Sequence, residues 1–170
     1  MFIKDNRFID EQGRTLWLRG CNVSGSSKVP YVPHGETWRK ESLQNPEAVS
    51  FVGRPFPLET ADEHLDRLAS WGFNLIRLIL TWEAIEHAGP GIYDEEYLAY
   101  LRKIVKKCED RGIWVYMDPH QDVWSRWTGG DGAPAWTLEK VGIRLDRIGP
   151  TEAALTHQEL GDPLPKMMWP

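Results

Sequence analysis

Apolar residues recur along this chain with two different periods, and their alternation predicts its architecture. Phe73–Leu80 is apolar except at Asn74 and Arg77, and Ile113–Met117 is apolar throughout. Runs this short predict strands buried on both faces. Between them Tyr97, Leu98, Leu101, Ile104, Val105 and Cys108 repeat at helical spacing, with Arg102, Lys103, Lys106 and Lys107 on the other side. This predicts a helix over 94–111 with a solvated basic face, capped by Asp94 and stopped by Gly112. Thr60-Ala61-Asp62-Glu63 reads as a capping box for an earlier helix of about three turns, with Leu65, Leu68 and Ala69 on one face and Gly72 as its stop. Strand 73–80, helix 94–111 and strand 113–118 then form a strand-helix-strand unit of the length a right-handed parallel crossover needs.

The ends of the chain are less regular. Arg7-Phe8-Ile9 and Thr15-Leu16-Trp17-Leu18 read as a hairpin turned at Gly13, leading into a further strand through Arg19-Gly20-Cys21-Asn22. From Val29 to Pro57 no period holds, and a stretch of this length in a compact domain is usually functional or mobile. Beyond Trp136, short helices are expected over 137–145 and 151–160, broken by Gly149-Pro150 and Asp162-Pro163. Residues 166–170 read as the start of an element.

Composition narrows the partners. The 170 residues are 41% hydrophobic and 26% charged, as a soluble domain is, and the net charge of −5 argues against a nucleic-acid partner, which requires a basic surface. Cys21 and Cys108 stand far apart in a strand and a helix and read as core thiols. No signal-peptide-like or membrane-spanning run occurs, so an intracellular location is the default expectation. Nine tryptophans are many for this length. Trp17, Trp71 and Trp114 read as core, whereas Trp124 and Trp127, in a glycine-rich charged loop, read equally as core or as flat platforms for a sugar.

The chemistry concentrates after the second strand. Asp118, His120 and Asp122 are spaced by two residues, and Pro119 favours extended backbone before it, so all three point one way at a strand's C-terminal end. Three readings stand: a metal site for Zn, Mn or Fe, a rim that binds sugar hydroxyls beside Arg77, or carboxylates that cap turns. Arg77 inside a buried strand requires either a structural carboxylate or a polar cavity in which it orients a catalytic one. Glu83, Asp118, Asp122 and Asp131 are nominated as glycosidase carboxylates by spacing alone.

Five segments carry a resemblance. They are Asp10-Glu11-Gln12-Gly13-Arg14 before Leu18-Arg19-Gly20-Cys21-Asn22; Ser24-Gly25-Ser26-Ser27-Lys28; Asn74-Leu75-Ile76-Arg77-Leu78 with Trp82-Glu83; Pro90-Gly91-Ile92-Tyr93-Asp94; and Asp118-Pro119-His120-Gln121-Asp122-Val123 with Gly130-Asp131-Gly132-Ala133-Pro134. In this order the chain resembles the N-terminal part of glycoside hydrolase family 5, in the branch of endoglycoceramidases, fungal glucosylceramidases and steryl β-glucosidases. The resemblance implies an α/β fold, a (β/α)₈ barrel of which about three strand positions are here: residues 1–19 as a hairpin leading into the first barrel strand, 60–118 as βα units, and 119–170 as a long active-site loop region. It implies that Arg77 supports the nucleophile, that His120 and Asp122 hold glucose hydroxyls, and that Lys28 reaches the sugar rim, with Trp124 added as a stacking surface. Glu83, by position, is not catalytic.

A complete barrel of this kind takes about 250 residues. Its acid/base glutamate follows an asparagine after strand four and its nucleophile closes strand seven, and no Asn-Glu pair occurs here. The expectation is an N-terminal fragment of a retaining β-glycosidase of glucosylated lipids, glucosylceramide or a steryl glucoside, inactive by itself, with both catalytic glutamates beyond residue 170. It needs no cofactor and meets membranes peripherally through its substrate. A non-catalytic carbohydrate-binding protein, and a metal-dependent hydrolase using Asp118, His120 and Asp122, are the alternatives.

Overall fold

The computed structural model describes residues 1–23, 25–35 and 39–156. Strands β1 (Phe2–Lys4) and β2 (Arg7–Ile9) form an antiparallel hairpin, and β3 (Gly20–Val23), β4 (Leu75–Thr81) and β5 (Trp114–His120) form a parallel sheet in that order. The helices are α1 (Leu58–Ser70), α2 (Trp82–Glu86), α3 (Glu95–Glu109), α4 (Ala135–Lys140) and α5 (Leu145–Ile148). Among the described residues no helix is long and apolar enough to cross a membrane.

The helix-to-strand turns explain why the unit repeats. After α1, Gly72 takes φ +83°, its N–H donates to the Ala69 carbonyl, and the N–H of Phe73 donates to that of Leu68. After α3, Gly112 at φ +66° repeats the arrangement, with Ile113 donating to Cys108. These are Schellman closures, which need a left-handed residue and throw an apolar side chain back onto the helix as the next strand begins. Asp94 caps α3 by accepting from the Tyr97 N–H at 2.8 Å, as its position predicts. The Thr60 capping box does not form. Helix α1 starts two residues earlier, at Leu58 after Pro57, and the Thr60 hydroxyl donates back to the Pro57 carbonyl instead.

The period of two along the sheet separates two faces. Ile76, Leu78 and Leu80 face the helices, where Ala61, Leu65, Tyr97, Leu101, Ile104 and Cys108 complete the main core. Asn22, Arg77 and Tyr116 share one row of the register on the opposite face, and Asp118 and His120 follow on that face. The aperiodic stretch 29–57 contributes Val49 and Phe51 to the core, Phe51 lying edge-on to Tyr97 with ring centroids 6.1 Å apart. The described part of that segment is packed against the core, with cis bonds before Pro33 and Pro55. The basic side of α3 is also more than solvated: Lys107 and Arg111 reach Asp62 at 2.6 and 2.8 Å, and Arg111 reaches Asp66, tying α3 to α1.

Several expectations change. The hairpin partner of Arg7–Ile9 is Phe2–Lys4, turned through Asp5 and Asn6, both at positive φ. Thr15 adds only an isolated bridge to Ile9. Strand β5 is not covered on both faces: it is the last strand of the sheet, and Trp114, Tyr116 and Met117 are exposed. Trp17, at 78%, and Trp71, at 66% exposure, are likewise outside the core. Around and beyond Trp136 the helices fall at 135–140 and 145–148; residues 151–154 form turns and bends, and 157–170 lie outside the described residues.

The Tyr97 side chain is fully enclosed and its hydroxyl has no partner among the described residues; burial pushes the phenol well above its ordinary value. An unsatisfied buried hydroxyl costs stability that its removal returns. Tyr97→Phe is therefore expected to stabilise the chain by up to about 1 kcal/mol, read as a raised urea midpoint; a lowered midpoint would show a hydroxyl partner.

Candidate active-site wall

The polar face of the sheet carries one continuous chain of contacts. The Arg77 guanidinium on β4 lies 2.6 Å from Asp118 on β5 and 3.5 Å from the Asn22 side-chain oxygen on β3. Asp118 stands 3.1 Å from His120 Nδ1, and His120 Nε2 stands 3.0 Å from Asp122. The same Asp122 oxygen accepts from Lys28 Nζ at 2.7 Å, and Lys28 also lies 3.5 Å from Asp131. Four of the five predicted site residues, Lys28, Arg77, His120 and Asp122, thus meet in one network at the C-terminal ends of parallel strands. That edge is where α/β folds bind ligands. Arg77 has its carboxylate partner, Asp118. Arg77 Nη2 also lies 3.4 Å from His120 Nδ1, so the arginine borders both members of the Asp118–His120 contact.

The loop after β5 is clamped onto this network. Asp122 and Asp131 exchange both backbone hydrogen bonds, at 3.1 and 2.8 Å, in an isolated antiparallel bridge. Gly130 lies so close to the Asp122 carbonyl oxygen that a Cβ there would overlap it, so the bridge requires glycine at this position. Below the bridge, Arg126 and Glu83 form a two-pronged ion pair at 2.6 and 2.8 Å, with side chains 3% and 1% exposed. Arg126 also donates to the Ser42 carbonyl at 2.7 Å and stacks over Trp127, its guanidinium 4.6 Å from the ring centroid. The Glu83 N–H donates to the Gly132 carbonyl. Glu83 is consumed in this pair. Arg126 has no sequence signal beyond its position between serine and tryptophan, because its partner lies 43 residues away.

The aromatic expectations divide. Trp127 is buried with Ala135, Leu138 and Ile148 in a second small core and offers no platform. Trp124 is 44% exposed at φ +75°, and its indole N–H donates to the Thr137 hydroxyl. It stands apart from the charged network in hydrogen bonding.

The metal reading shifts and weakens. Among the described residues, those close enough to share an ion are His120, Asp122 and Asp131, not the predicted Asp118, His120 and Asp122. A positive charge already stands between the two carboxylates, because the Lys28 ammonium contacts both. A divalent ion would have to displace it and face its repulsion.

The two carboxyls titrate in opposite directions. The Lys28 ammonium, then His120, hold Asp122 below the ordinary 3.8, whereas burial pushes Asp131 up against the smaller opposing pull of Lys28 and His120. A lowered folded-state value contributes stability that is complete above the unfolded value and lost as pH falls through the folded one. The stability gap between wild type and Asp122→Asn, measured by urea unfolding, is therefore expected to narrow as pH drops from about 5 to about 2. A gap constant with pH would mean that the ion pair contributes nothing.

A three-stranded parallel sheet with helices on one face, and a polar set of donors and acceptors on the other, is the start of a (β/α)₈ barrel. Residues 33–141 match the family described as Cellulase (glycosyl hydrolase family 5), and the chain belongs to that family. It is 52% identical over 169 residues to a glucosylceramidase of Rhizopus delemar, covering 96% of this chain and 25% of the relative. It is 39% identical to an ergosteryl-beta-glucosidase of Saccharomyces cerevisiae, covering 98% of this chain and 24% of the relative. The crystal structure of Cryptococcus neoformans sterylglucosidase 1 superposes with a TM-score of 0.83 at 44% identity, over 89% of this chain and 21% of that one. The chain spans about a quarter of the length of these relatives.

Proposed function

We propose that this chain forms the sugar-holding wall of a retaining β-glycosidase that cleaves a glucosylated lipid, glucosylceramide or a steryl glucoside. The observation that carries the reading is the network Lys28–Asp122–His120–Asp118–Arg77 at the strand ends of a family 5 sheet. Its outer members keep hydrogen-bonding capacity for a sugar: the Asp122 side chain is half exposed and Lys28 retains further N–H donors. Arg77, fixed by Asp118 and Asn22, supplies a rigid cation beside the seat of the reacting sugar, where it supports the nucleophile. The reaction itself needs two carboxyl groups about 5 Å apart, one as nucleophile and one as acid and base. Within these 170 residues no Asn-Glu pair exists, Glu83 is locked to Arg126, and Asp118 and Asp122 are held by cations. The chain alone therefore recognises sugar without cleaving it, and the lipid aglycone brings the whole enzyme to a membrane surface.

Calorimetry with methyl β-glucoside tests the reading. Saturable binding to the 170-residue chain, lost in Asp122→Ala, together with no turnover of a fluorogenic β-glucoside, is the expected pair of results. Turnover by the purified chain would overturn the division of labour, and binding indifferent to Asp122 would overturn the site.

A further inference from the structure

We propose that Asp131 is a positioning residue that receives the Lys28 ammonium when Asp122 is engaged by a ligand hydroxyl, so that one lysine passes between two carboxylates held at a fixed separation. The proposal rests on the sugar-binding reading of this site.

Three observations carry it. First, one cation serves two acids: Lys28 Nζ is 2.7 Å from Asp122 Oδ2 and 3.5 Å from Asp131 Oδ2. The shorter contact is the one a ligand disturbs, because that Asp122 oxygen already accepts from both Lys28 and His120. A sugar hydroxyl donating to it competes with them. Second, the two acids cannot drift apart, because their backbones are joined by the paired hydrogen bonds that Gly130 permits. The transfer therefore needs only a rotation of the Lys28 side chain. Third, the two acids differ in exposure. Asp122 is half exposed, whereas Asp131 is 5% exposed and its Oδ1 atom finds no hydrogen-bond partner among the described residues. A buried carboxyl with an idle oxygen is costly, and no ligand reaches that enclosed atom. The arrangement has a use if Asp131 stands in reserve as a counter-charge.

Without Asp131, a ligand on Asp122 would leave a mostly buried ammonium without a carboxylate, and ligand binding would bear that cost. With it, the ammonium keeps a partner throughout. The groups that act on the Asp131 carboxyl are Lys28 from the loop after β3, His120 from the end of β5 and Asp122 across the bridge. Burial raises its titration, and Lys28 and His120 oppose that. A closer Lys28 must then lower it further.

Carbon-13 NMR of the aspartate carboxyls in the full 170-residue chain reads this directly. Lys28→Met is expected to raise the Asp131 midpoint by about one pH unit or more. Asp122→Asn is expected to lower it, partly by removing a like charge and partly by releasing Lys28. The lowering should shrink when Lys28 is also replaced, and the size of that coupling measures the transfer. Strict additivity of the two substitutions would overturn the proposal. If Lys28→Met does not fold, Lys28→Gln completes the same cycle. Saturating methyl β-glucoside should lower the Asp131 midpoint in wild type and not in the lysine variant; glucoside that binds and leaves the midpoint unmoved would also overturn it. Should wild type bind no glucoside, the sugar-binding reading falls, while the mutant cycle still decides whether Lys28 passes between the acids.

Discussion

Replacing Glu83 by alanine is expected to destabilise the chain by about 3–5 kcal/mol, the cost of leaving a buried charge without its partner. The affected charge is the Arg126 guanidinium, enclosed between the end of β4, the Ser42 carbonyl and the Trp127 ring. Forming the pair contributes little net stability, because two groups leave water to make it; breaking it on one side is what costs. A double variant, Glu83→Leu with Arg126→Met, should therefore recover most of the loss. Urea unfolding of the two variants checks both halves. If the single variant moves the midpoint by less than the double, the account of this pair is wrong. The effect should reach the proposed sugar-holding wall, since the Arg126 side chain anchors the loop that carries Asp131 to Glu83.

His120→Ala is expected to behave in the opposite way, weakening methyl β-glucoside binding by roughly tenfold to a hundredfold with little change in stability. The affinity estimate is that of one hydrogen bond to the charged Asp122 carboxylate, which the His120 ring holds in place for the sugar, about 1.5–3 kcal/mol. Stability is spared because no charge is orphaned. Asp118 keeps Arg77 at 2.6 Å and Asp122 keeps Lys28 at 2.7 Å. Calorimetry and a thermal melt on the same sample separate the two effects. Unfolding of the variant, or full affinity in it, would remove His120 from the proposed subsite.

What the sequence disclosed follows from the range over which each signal acts. Helix α3, its Asp94 cap and the glycine stops at 72 and 112 are local chemistry, and they stand where the pattern put them. The convergence of Asp118 and His120 follows from the alternation of a strand that continues through Pro119, and Asp122 joins them through its bridge to Asp131. By contrast, the burial of β5 and of Trp17 and Trp71 depends on neighbours that no local pattern encodes. Apolar runs report what a strand could be covered by, and here one side has no cover among the described residues. The Glu83–Arg126 pair and the Asp122–Asp131 bridge are long-range pairings between loops, and a loop carries no period from which to read them. The first helix failed at its cap because Pro57, a residue that starts helices without any side-chain bond, preceded the threonine that matched the capping pattern.

The outer edge of β5 has a practical consequence for handling the protein. An open strand edge templates unwanted pairing between molecules, and a proline or a charge blunts it. Along β5 the protection is uneven: Asp118, Pro119 and His120 guard the C-terminal half, while Trp114, Val115, Tyr116 and Met117 have neither. Aggregation of the isolated chain should therefore nucleate on those four residues, and a lysine introduced at Tyr116 is the economical way to keep concentrated samples in solution.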